Sequence, residues 1–515
     1  LKDSPVNRDG VLKGEKVYVD IARAQALADS GESTLIAQDS LASYQSKLER
    51  TVAERSTAGG TVNISSQGEA ILESGAVVDL SGGSVQYTAA NMKTTLLSSG
   101  GQTVDIADAD AETRYDGIAT RYVKDFGRWN VKKVFDLGQS YRFDPGYVEG
   151  KDAGVMQVVG MGGTVMQAEV QGRTTLGERQ RESGAVPATA KLILGTGAVS
   201  GDYKLNQQID VTSTAATLPG SFGFGDALPA HLKSVLAFNP SSMGEGKIGQ
   251  LEIFSNQAAA VREALRTPQG GSVKITAASV DVAADVTAQG GQIAFNARGN
   301  QTGVPGDANA LNVKVRDGVK LSARGEWINQ VSNGGTVSST GASIDGGSVS
   351  LSAAIDVELG EASSVDVSSG GRIRPDGKLD GGDGGTISLE ANAGFESSLE
   401  HSGAVRLGGE LRGYGMEQGG TLNVSSGKIQ IGGAADTTPG ALSLDSGFLG
   451  RGGFSSFDLA GRDGVTVADD VALAPVQQTL ELQPGFSLQA SGSPVETFST
   501  QVVLEPWPRN SSEAR

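Results

Sequence analysis

The chain has 515 residues with 74 glycines and only 15 prolines, and it contains no cysteine. The missing cysteines exclude a disulfide framework, thiolate metal sites and cysteine nucleophiles, which leaves His231 and His401 as the histidines available for metal or base chemistry. A formal net charge of −17 argues against nucleic acid as a partner, because phosphate binding depends on clustered lysine and arginine.

No run of apolar residues approaches the ~18 that a membrane-spanning helix needs. The chain begins at Leu1 without a methionine or a charged-then-apolar signal. We therefore expect a mature or excised piece of a longer protein.

The first segment, residues 1–58, is predicted to be a helical lead-in or flank. Within 22–55, apolar residues recur at the helical spacings of three and four, with Asp39 as a candidate N-cap. These residues are Leu41, Tyr44, Leu48 and Val52.

A glycine pair, followed by apolar residues two and four positions after its second glycine, is the strongest pattern in the chain. Alternation with a period of two is typical of a strand with one buried face, and glycine permits tight corners before each strand. The pattern occurs at residues 59–64, 270–275, 290–295, 346–351, 384–389 and 419–424.

Residues 270–289 contain one complete repeat, with three short strands predicted at 272–276, 279–283 and 285–289. No hairpin turn separates these strands, so each is expected to stack on its counterpart in the next repeat of about 20 residues. The predicted fold class is all-β, a parallel β-helix with three strands per coil; a β-sandwich or propeller is the alternative. Coils are predicted for residues 59–101, 161–218 and 269–493.

An aromatic and basic insertion is predicted at residues 102–160. Between residues 114 and 143 there are seven basic and three acidic residues, a local charge of +4. Rings beside cations suit carbohydrate stacking or an anionic polymer, whereas the alternative is that the insertion builds its own small core. The candidate ligand-binding residues are Tyr122, Lys124, Arg128, Trp129, Lys132, Lys133, Tyr141 and Arg142.

A second insertion, residues 219–268, is predicted to be helical. Pro229 is expected to start a helix that ends near Phe238, and residues 258–266 are expected to form another, stopped by Pro268. His231 is interpreted as a surface or packing residue, because no partner histidine or cysteine is close in sequence.

An acidic glycine-rich turn lies at residues 376–383. Asp376, Asp380 and Asp383 offer the oxygen ligands that calcium favours, and an ordinary solvated turn is the alternative. We predict no cofactor. The last segment, residues 494–515, has lost the repeat and is predicted to be an irregular tail.

Several long motifs resemble the filamentous-haemagglutinin-like large exoproteins of Gram-negative bacteria. The resemblance spans roughly residues 80–490. The motifs are GGSVQYTAANMKTTLL (82–97), RYDGIA (114–119), YRFDPGYVEGKDAG (141–154), DGGDGGTISLEAN (380–392), GGELRGYGMEQGGTL (408–422), TTPGALSLDSGFLGRGGFSSFDLAG (437–461) and LAPVQQTLEL (473–482).

The resemblance implies a right-handed β-helix that is exported by two-partner secretion through an outer-membrane barrel transporter. It also implies a secreted or cell-surface adhesin or filament segment without catalytic activity, which contacts a host-cell or matrix glycan or protein receptor. End-to-end self-association through open strand edges is a further expectation. The sequence lacks the family's Asn-Pro-Asn secretion motif and an Arg-Gly-Asp tripeptide, so neither transporter recognition nor integrin binding is assigned to particular residues.

The enzymatic alternative is a β-helical polysaccharide lyase or glycoside hydrolase acting on extracellular glycans. Such a site needs two converging carboxylates, or a basic residue beside them. The sequence alone does not bring any such pair together, and fold does not confer activity.

Overall fold

The computed structural model describes residues 4–29, 34–47, 49, 51–183, 185–197, 204–214, 217–223, 225–298, 311–331, 343–393, 403–469, 471–473, 476 and 478–503. The helices are short, and within the described residues none is long and apolar enough to cross a membrane. They are α1 (Pro5–Arg8), α2 (Ile21–Asp29), α3 (Gln38–Gln45), α4 (Val52–Ser56), α5 (Glu178–Ser183) and α6 (Ala230–Ser234).

Strands dominate the described residues. In chain order they are β1 (Thr61–Ser66), β2 (Glu69–Leu72), β3 (Val77–Asp79), β4 (Ser84–Tyr87), β5 (Ala90–Thr94), β6 (Leu96–Ser99), β7 (Gln102–Asp105), β8 (Gly117–Ile118), β9 (Arg121–Phe126), β10 (Val131–Asp136), β11 (Ser140–Asp144), β12 (Tyr147–Gly150), β13 (Val155–Gly160), β14 (Gly163–Met166), β15 (Glu169–Gln171), β16 (Ala190–Leu194), β17 (Gln208–Val211), β18 (Val235–Phe238), β19 (Ile248–Phe254), β20 (Ala259–Val261), β21 (Leu265–Arg266), β22 (Ser272–Ala277), β23 (Val280–Val282), β24 (Val286–Thr287), β25 (Gln292–Ala297), β26 (Val313–Val315), β27 (Lys320–Ser322), β28 (Trp327–Asn329), β29 (Ser348–Ala353), β30 (Val357–Leu359), β31 (Ser364–Asp366), β32 (Gly371–Ile373), β33 (Leu379–Gly381), β34 (Thr386–Glu390), β35 (Val405–Leu407), β36 (Glu410–Arg412), β37 (Thr421–Ser426), β38 (Lys428–Ile431), β39 (Ala441–Leu444), β40 (Ser456–Gly461), β41 (Val465–Val467), β42 (Gln478–Leu482) and β43 (Ser499–Val503).

The chain divides into two compact units. The smaller unit combines Leu1–Thr57, Ser84–Gly150 and Gly177–Ala185. The larger unit combines Ala58–Gly83, Lys151–Leu176 and Val186–Arg515. Strand pairs in the smaller unit are antiparallel, such as β4 with β12 and β5 with β11.

Long parallel sheets form the larger unit. The first has ten strands in the order β1-β13-β16-β19-β22-β25-β29-β34-β37-β40. The second has seven strands, β18-β17-β20-β23-β26-β30-β35, and the third has five, β21-β24-β27-β31-β36. The chain visits the sheets in a fixed order: β22, β23 and β24 lie in the first, second and third sheets, and β25 then returns to the first sheet beside β22.

All six glycine pairs precede strands of the first sheet, namely β1, β22, β25, β29, β34 and β37. The predicted alternation is confirmed in the last five of these strands, where the inward side chains are 1% exposed or less. These side chains are Val273, Ile275, Ile293, Phe295, Val349, Leu351, Ile387, Leu389, Leu422 and Val424. On the terminal strand β1 the equivalent Val62 and Ile64 are only half-buried.

The second glycines of successive pairs lie on one another in a column that we call the glycine stack: Gly271, Gly291, Gly347, Gly385 and Gly420. From Gly291 onward, a Cβ on each member would overlap the carbonyl oxygen of the member before it. That oxygen accepts a hydrogen bond from the residue after the next glycine, as where Ser348 N donates to Gly291 O at 2.9 Å. Close approach of two backbones, rather than an unusual φ, therefore requires glycine at these positions.

The three strands predicted within residues 270–289 correspond to β22, β23 and β24, so this prediction is confirmed. The predicted helix at 258–266 is wrong, because those residues form β20 and β21. Ala259, Val261 and Leu265 are at most 2% exposed there. Burial against neighbouring parallel strands has overridden the helix propensity of the alanines. Pro229 does precede α6, but that helix ends at Ser234 and β18 follows.

The amino-terminal helical prediction holds only in part, because α2, α3 and α4 are separate short helices. Leu41 is buried, whereas Tyr44 and Val52 are 62% and 69% exposed, so these residues do not form one packed face. Ala37 rather than Asp39 is the N-cap of α3. Leu48 lies outside the described residues.

Two predicted boundaries are also wrong. The insertion begins at Ser84 rather than at residue 102 and ends at Gly150, because β4, β5 and β6 pair antiparallel within the smaller unit. The described part of the predicted irregular tail, residues 494–503, contains β43, which pairs with β42. Val495 and Phe498 are buried against Trp327, which supplies the apolar contact that holds this segment.

Beneath that segment, Glu326 lines a small cavity of about 190 Å³ together with Arg324 and Glu496. Burial raises the pKa of Glu326 to about 7, and its Oε2 accepts no hydrogen bond from the described residues. Arg324 does not neutralise this carboxylate, because its guanidinium pairs with Asp366 at 3.5 Å and with Glu496 at 2.5 Å.

The glycine stack predicts a stability difference between two kinds of glycine in the same motif. We expect Gly347→Ala or Gly385→Ala to lower the free energy of unfolding by about 2–4 kcal/mol, because two backbones must separate to admit the methyl group. Gly60→Ala is the matched control, since nothing lies within 4 Å of its Cβ position and its φ lies outside the left-handed region. Denaturant unfolding of the three variants checks this; equal stabilities would contradict the role of the stack.

The raised pKa of Glu326 predicts a pH-dependent stability. The folded state holds this proton up to about pH 7, whereas the unfolded chain releases it near 4.5, so the free energy of unfolding decreases as pH rises between these values. After discounting for partial solvent screening, we expect Glu326→Gln to stabilise the protein by about 1–2 kcal/mol at alkaline pH and to have little effect near pH 4. Thermal unfolding across this pH range is the measurement, with Glu361→Gln, which replaces an exposed carboxylate outside this cavity, as the control.

Candidate ligand-binding surface on an exposed hairpin

Strands β9 and β10 form an isolated antiparallel hairpin in the smaller unit. Phe126 pairs with Val131 at the closed end, and Arg121 pairs with Asp136 at the open end. The connecting turn contains a short 3-10 helix, Gly127–Trp129, and Asn130 with a φ of 51°, a left-handed conformation that asparagine tolerates well.

Side-chain alternation gives this hairpin two different faces. The cationic–aromatic face consists of Tyr122, Lys124, Phe126, Val131, Lys133 and Phe135. The charged face, on the opposite side, consists of Arg121, Val123, Asp125, Lys132, Val134 and Asp136. All six residues of β10 are exposed, so neither face is buried along this strand.

On the cationic–aromatic face, each lysine lies over the ring two positions further along its own strand. Lys124 Nζ lies 5.1 Å from the centroid of the Phe126 ring, and Lys133 Nζ lies 5.0 Å from that of Phe135. The Tyr122 and Phe135 rings are 6.1 Å apart between centroids. At the turn, the Arg128 guanidinium lies 5.9 Å from the Trp129 ring. Rings and cations therefore alternate along one surface.

The cations of this surface remain available for a ligand. Within the part of the chain that the structure describes, no carboxylate forms an ion pair with Lys124, Arg128 or Lys133. By contrast, Lys132 Nζ lies 3.5 Å from Asp125 on the charged face. Exposed rings beside unpaired cations can stack on a sugar ring while binding its sulfate or carboxylate groups.

The structure brings together five of the eight predicted ligand-binding residues. Tyr122, Lys124 and Lys133 lie on the cationic–aromatic face, with Arg128 and Trp129 at the adjoining turn. The other three lie elsewhere: Lys132 is on the charged face, and Tyr141 and Arg142 are on β11. Arg142 is paired there with Asp20.

Two aromatic members of the face, Phe126 and Phe135, were absent from the predicted binding residues. The period of two that located the buried strands would also have separated the two faces of this hairpin, had its turn been recognised. Lys132 and Lys133 are adjacent in sequence and therefore point to opposite sides, which composition alone does not reveal.

The small-core interpretation of the insertion applies to other aromatic residues. Tyr115 is 4% exposed and packs with Leu12, Leu97 and Ile106 in a separate apolar cluster. Tyr147 stacks on Tyr87 at 4.7 Å and lies under the Arg179 guanidinium at 3.8 Å. Trp129 and Tyr122, in contrast, are 68% and 58% exposed.

Each of the three predicted calcium ligands contacts a different partner in the chain. Asp380 pairs with Arg374 at 2.5 Å, and Asp376 accepts a hydrogen bond from the backbone N–H of Lys378 at 3.1 Å. Asp383 accepts one from the backbone N–H of Gln418 at 3.0 Å. Among the described residues, no group of three or more acidic or histidine residues is placed to hold a metal, so the calcium prediction is not supported. His401 lies outside the described residues.

Comparison of the chain with known proteins found no matching family model, no similar curated protein and no similar solved structure.

Proposed function

We propose that this chain is a non-catalytic segment of a secreted, cell-surface adhesin or filament, in which a right-handed parallel β-helix carries an exposed ligand-binding hairpin. The observation that carries the proposal is the coexistence of two contrasting parts. One is a sheet of ten parallel strands, and the other is a hairpin with rings and unpaired cations on one face.

The fixed circuit through three parallel sheets supports the β-helix. Each circuit returns to the first sheet next to the strand of the previous circuit, as β22, β25 and β29 do. Ten strands at ~4.8 Å per step correspond to roughly 45 Å of stacked coils. Right-handedness is the expectation for crossovers between parallel strands of one sheet, and the motif resemblance points the same way.

Attachment through the cationic–aromatic face follows from its chemistry. Lys124, Arg128 and Lys133 supply charge for an anionic polymer, and the rings supply apolar surface for sugar faces. Because the whole chain carries a net charge of −17, a local cationic surface distinguishes this hairpin from the rest of the chain. We propose an acidic host-cell or matrix glycan as the ligand.

The remaining elements of the proposal come from the motif resemblance. They are export through an outer-membrane barrel transporter of the two-partner type and a location outside the cell or on its surface. End-to-end association through the terminal strands is proposed instead from their open edges.

A matched pair of substitutions tests the attachment surface. We expect Lys133→Ala to weaken retention of the full chain on an immobilised sulfated polysaccharide several-fold, because it removes an unpaired cation from the binding face. Lys132→Ala is the control: it removes the same charge from the neighbouring residue on the opposite face, and both variants are loaded at a concentration at which they are monomeric. Elution in a salt gradient is the measurement, and equal shifts for the two variants would contradict a one-sided site.

A second substitution separates ring stacking from charge. We expect Trp129→Ala to reduce binding while leaving its salt dependence unchanged, since no phosphate- or sulfate-binding cation is lost.

The native chain incubated with the polysaccharide should release no reducing ends or unsaturated products. Release of either would favour the lyase or hydrolase alternative.

A further inference from the structure

The outer edge of β10 is an open strand edge. Its sheet contains only β9 and β10, and no other strand of the described residues pairs with β10. All six of its side chains are exposed. Open edges of this kind are templates for adding another strand, so the sequence along this edge determines what can pair with it.

The hydrogen-bonding pattern identifies which backbone groups face outward. Leu137 N donates to Thr120 O at 2.8 Å, which makes this a hydrogen-bonded pair of the hairpin. Because such pairs alternate along an antiparallel ladder, Val134 and Val123 form a non-hydrogen-bonded pair. The backbone groups of Lys132, Val134 and Asp136 therefore point away from β9.

We propose that this edge pairs with the same edge of a second copy of the chain, antiparallel and centred on Val134. In this register Lys132 lies opposite Asp136 of the second copy, twice by symmetry, and Val134 lies opposite its own counterpart. On the other face, Lys133 lies opposite the Phe135 ring, an arrangement that favours a cation–π contact.

The charged residues that would lie side by side across the four strands of two paired hairpins favour this register. Within each hairpin Asp125 is opposite Lys132, and Arg121 is opposite Asp136. Across the four strands, Asp125 and Lys132 of one copy would therefore be followed by Asp136 and Arg121 of the second copy. The sign of the charge alternates at every step. Shifting the centre to Lys133 would place two lysines opposite each other, and shifting it to Phe135 would leave Asp136 opposite Val134.

The other edge of the hairpin is less available. Arg121, at the start of β9, is ion-paired with Glu15 and partly buried. Pairing through β10 leaves that contact intact and extends the cationic–aromatic face across two hairpins. The inference concerns this edge alone and does not depend on the proposed adhesive function.

Proline substitutions test the edge. Val134→Pro removes an N–H that forms no bond within the hairpin, so the hairpin is retained while strand addition is blocked. Val123→Pro is the matched control on the opposite edge. By sedimentation over a series of concentrations, we expect the native chain and Val123→Pro to dimerise, and Val134→Pro to dimerise about tenfold more weakly or more.

Charge exchange tests the register. Lys132→Asp and Asp136→Lys each place like charges opposite each other in a homodimer, so each variant alone should remain monomeric. A mixture of the two restores both opposite-charge pairs and should form a heterodimer. A native chain that stays monomeric at every concentration, a loss of dimer only in Val123→Pro, or a mixture that fails to associate would overturn the inference.

Discussion

The close approach of stacked glycines is the constraint on which the larger unit depends. From Gly291 onward, each member of the glycine stack lies against the carbonyl oxygen of the member before it, and the N–H of the next residue donates to that same oxygen. A side chain at this position would force the two neighbouring backbones apart. Because the stack fixes where each strand begins, it also fixes which side chains point inward.

Because the glycine stack fixes the register locally, neighbouring strands of the first sheet can be far apart in sequence. Gly291 and Gly347 are far apart in sequence, yet Gln292 pairs with Ser348 in unbroken register. The entropic cost of closing a loop grows only slowly with loop length, so a long connection between two such strands need not disturb the stack. The inward aliphatic side chains then bury one another along the first sheet.

The smaller unit differs from the larger one in strand pairing and in the side chains that it exposes. Its strands pair antiparallel, and the β9–β10 hairpin has no buried face along β10. Rings that would be core residues in the larger unit, such as Phe135, are exposed here beside cations. From this contrast we propose that the long parallel sheets form the framework and that the hairpin contacts the ligand. Alternating charges on the reverse side of the same hairpin would let two copies combine their binding faces.

The sequence by itself determined the repeating strands of the larger unit, because a period of two after a glycine pair reports burial directly. It also located the aromatic and basic segment, because these residue types are concentrated there and sparse elsewhere. Only the tertiary structure decided that residues 258–266 are strands, since burial between neighbours outweighs alanine's helix propensity. Tertiary structure also decided that Lys133 and Lys132 serve opposite faces and that the three aspartates of the acidic turn find separate partners. The faces of the two lysines depend on where the hairpin turn lies, and the contacts of the aspartates depend on partners distant in sequence.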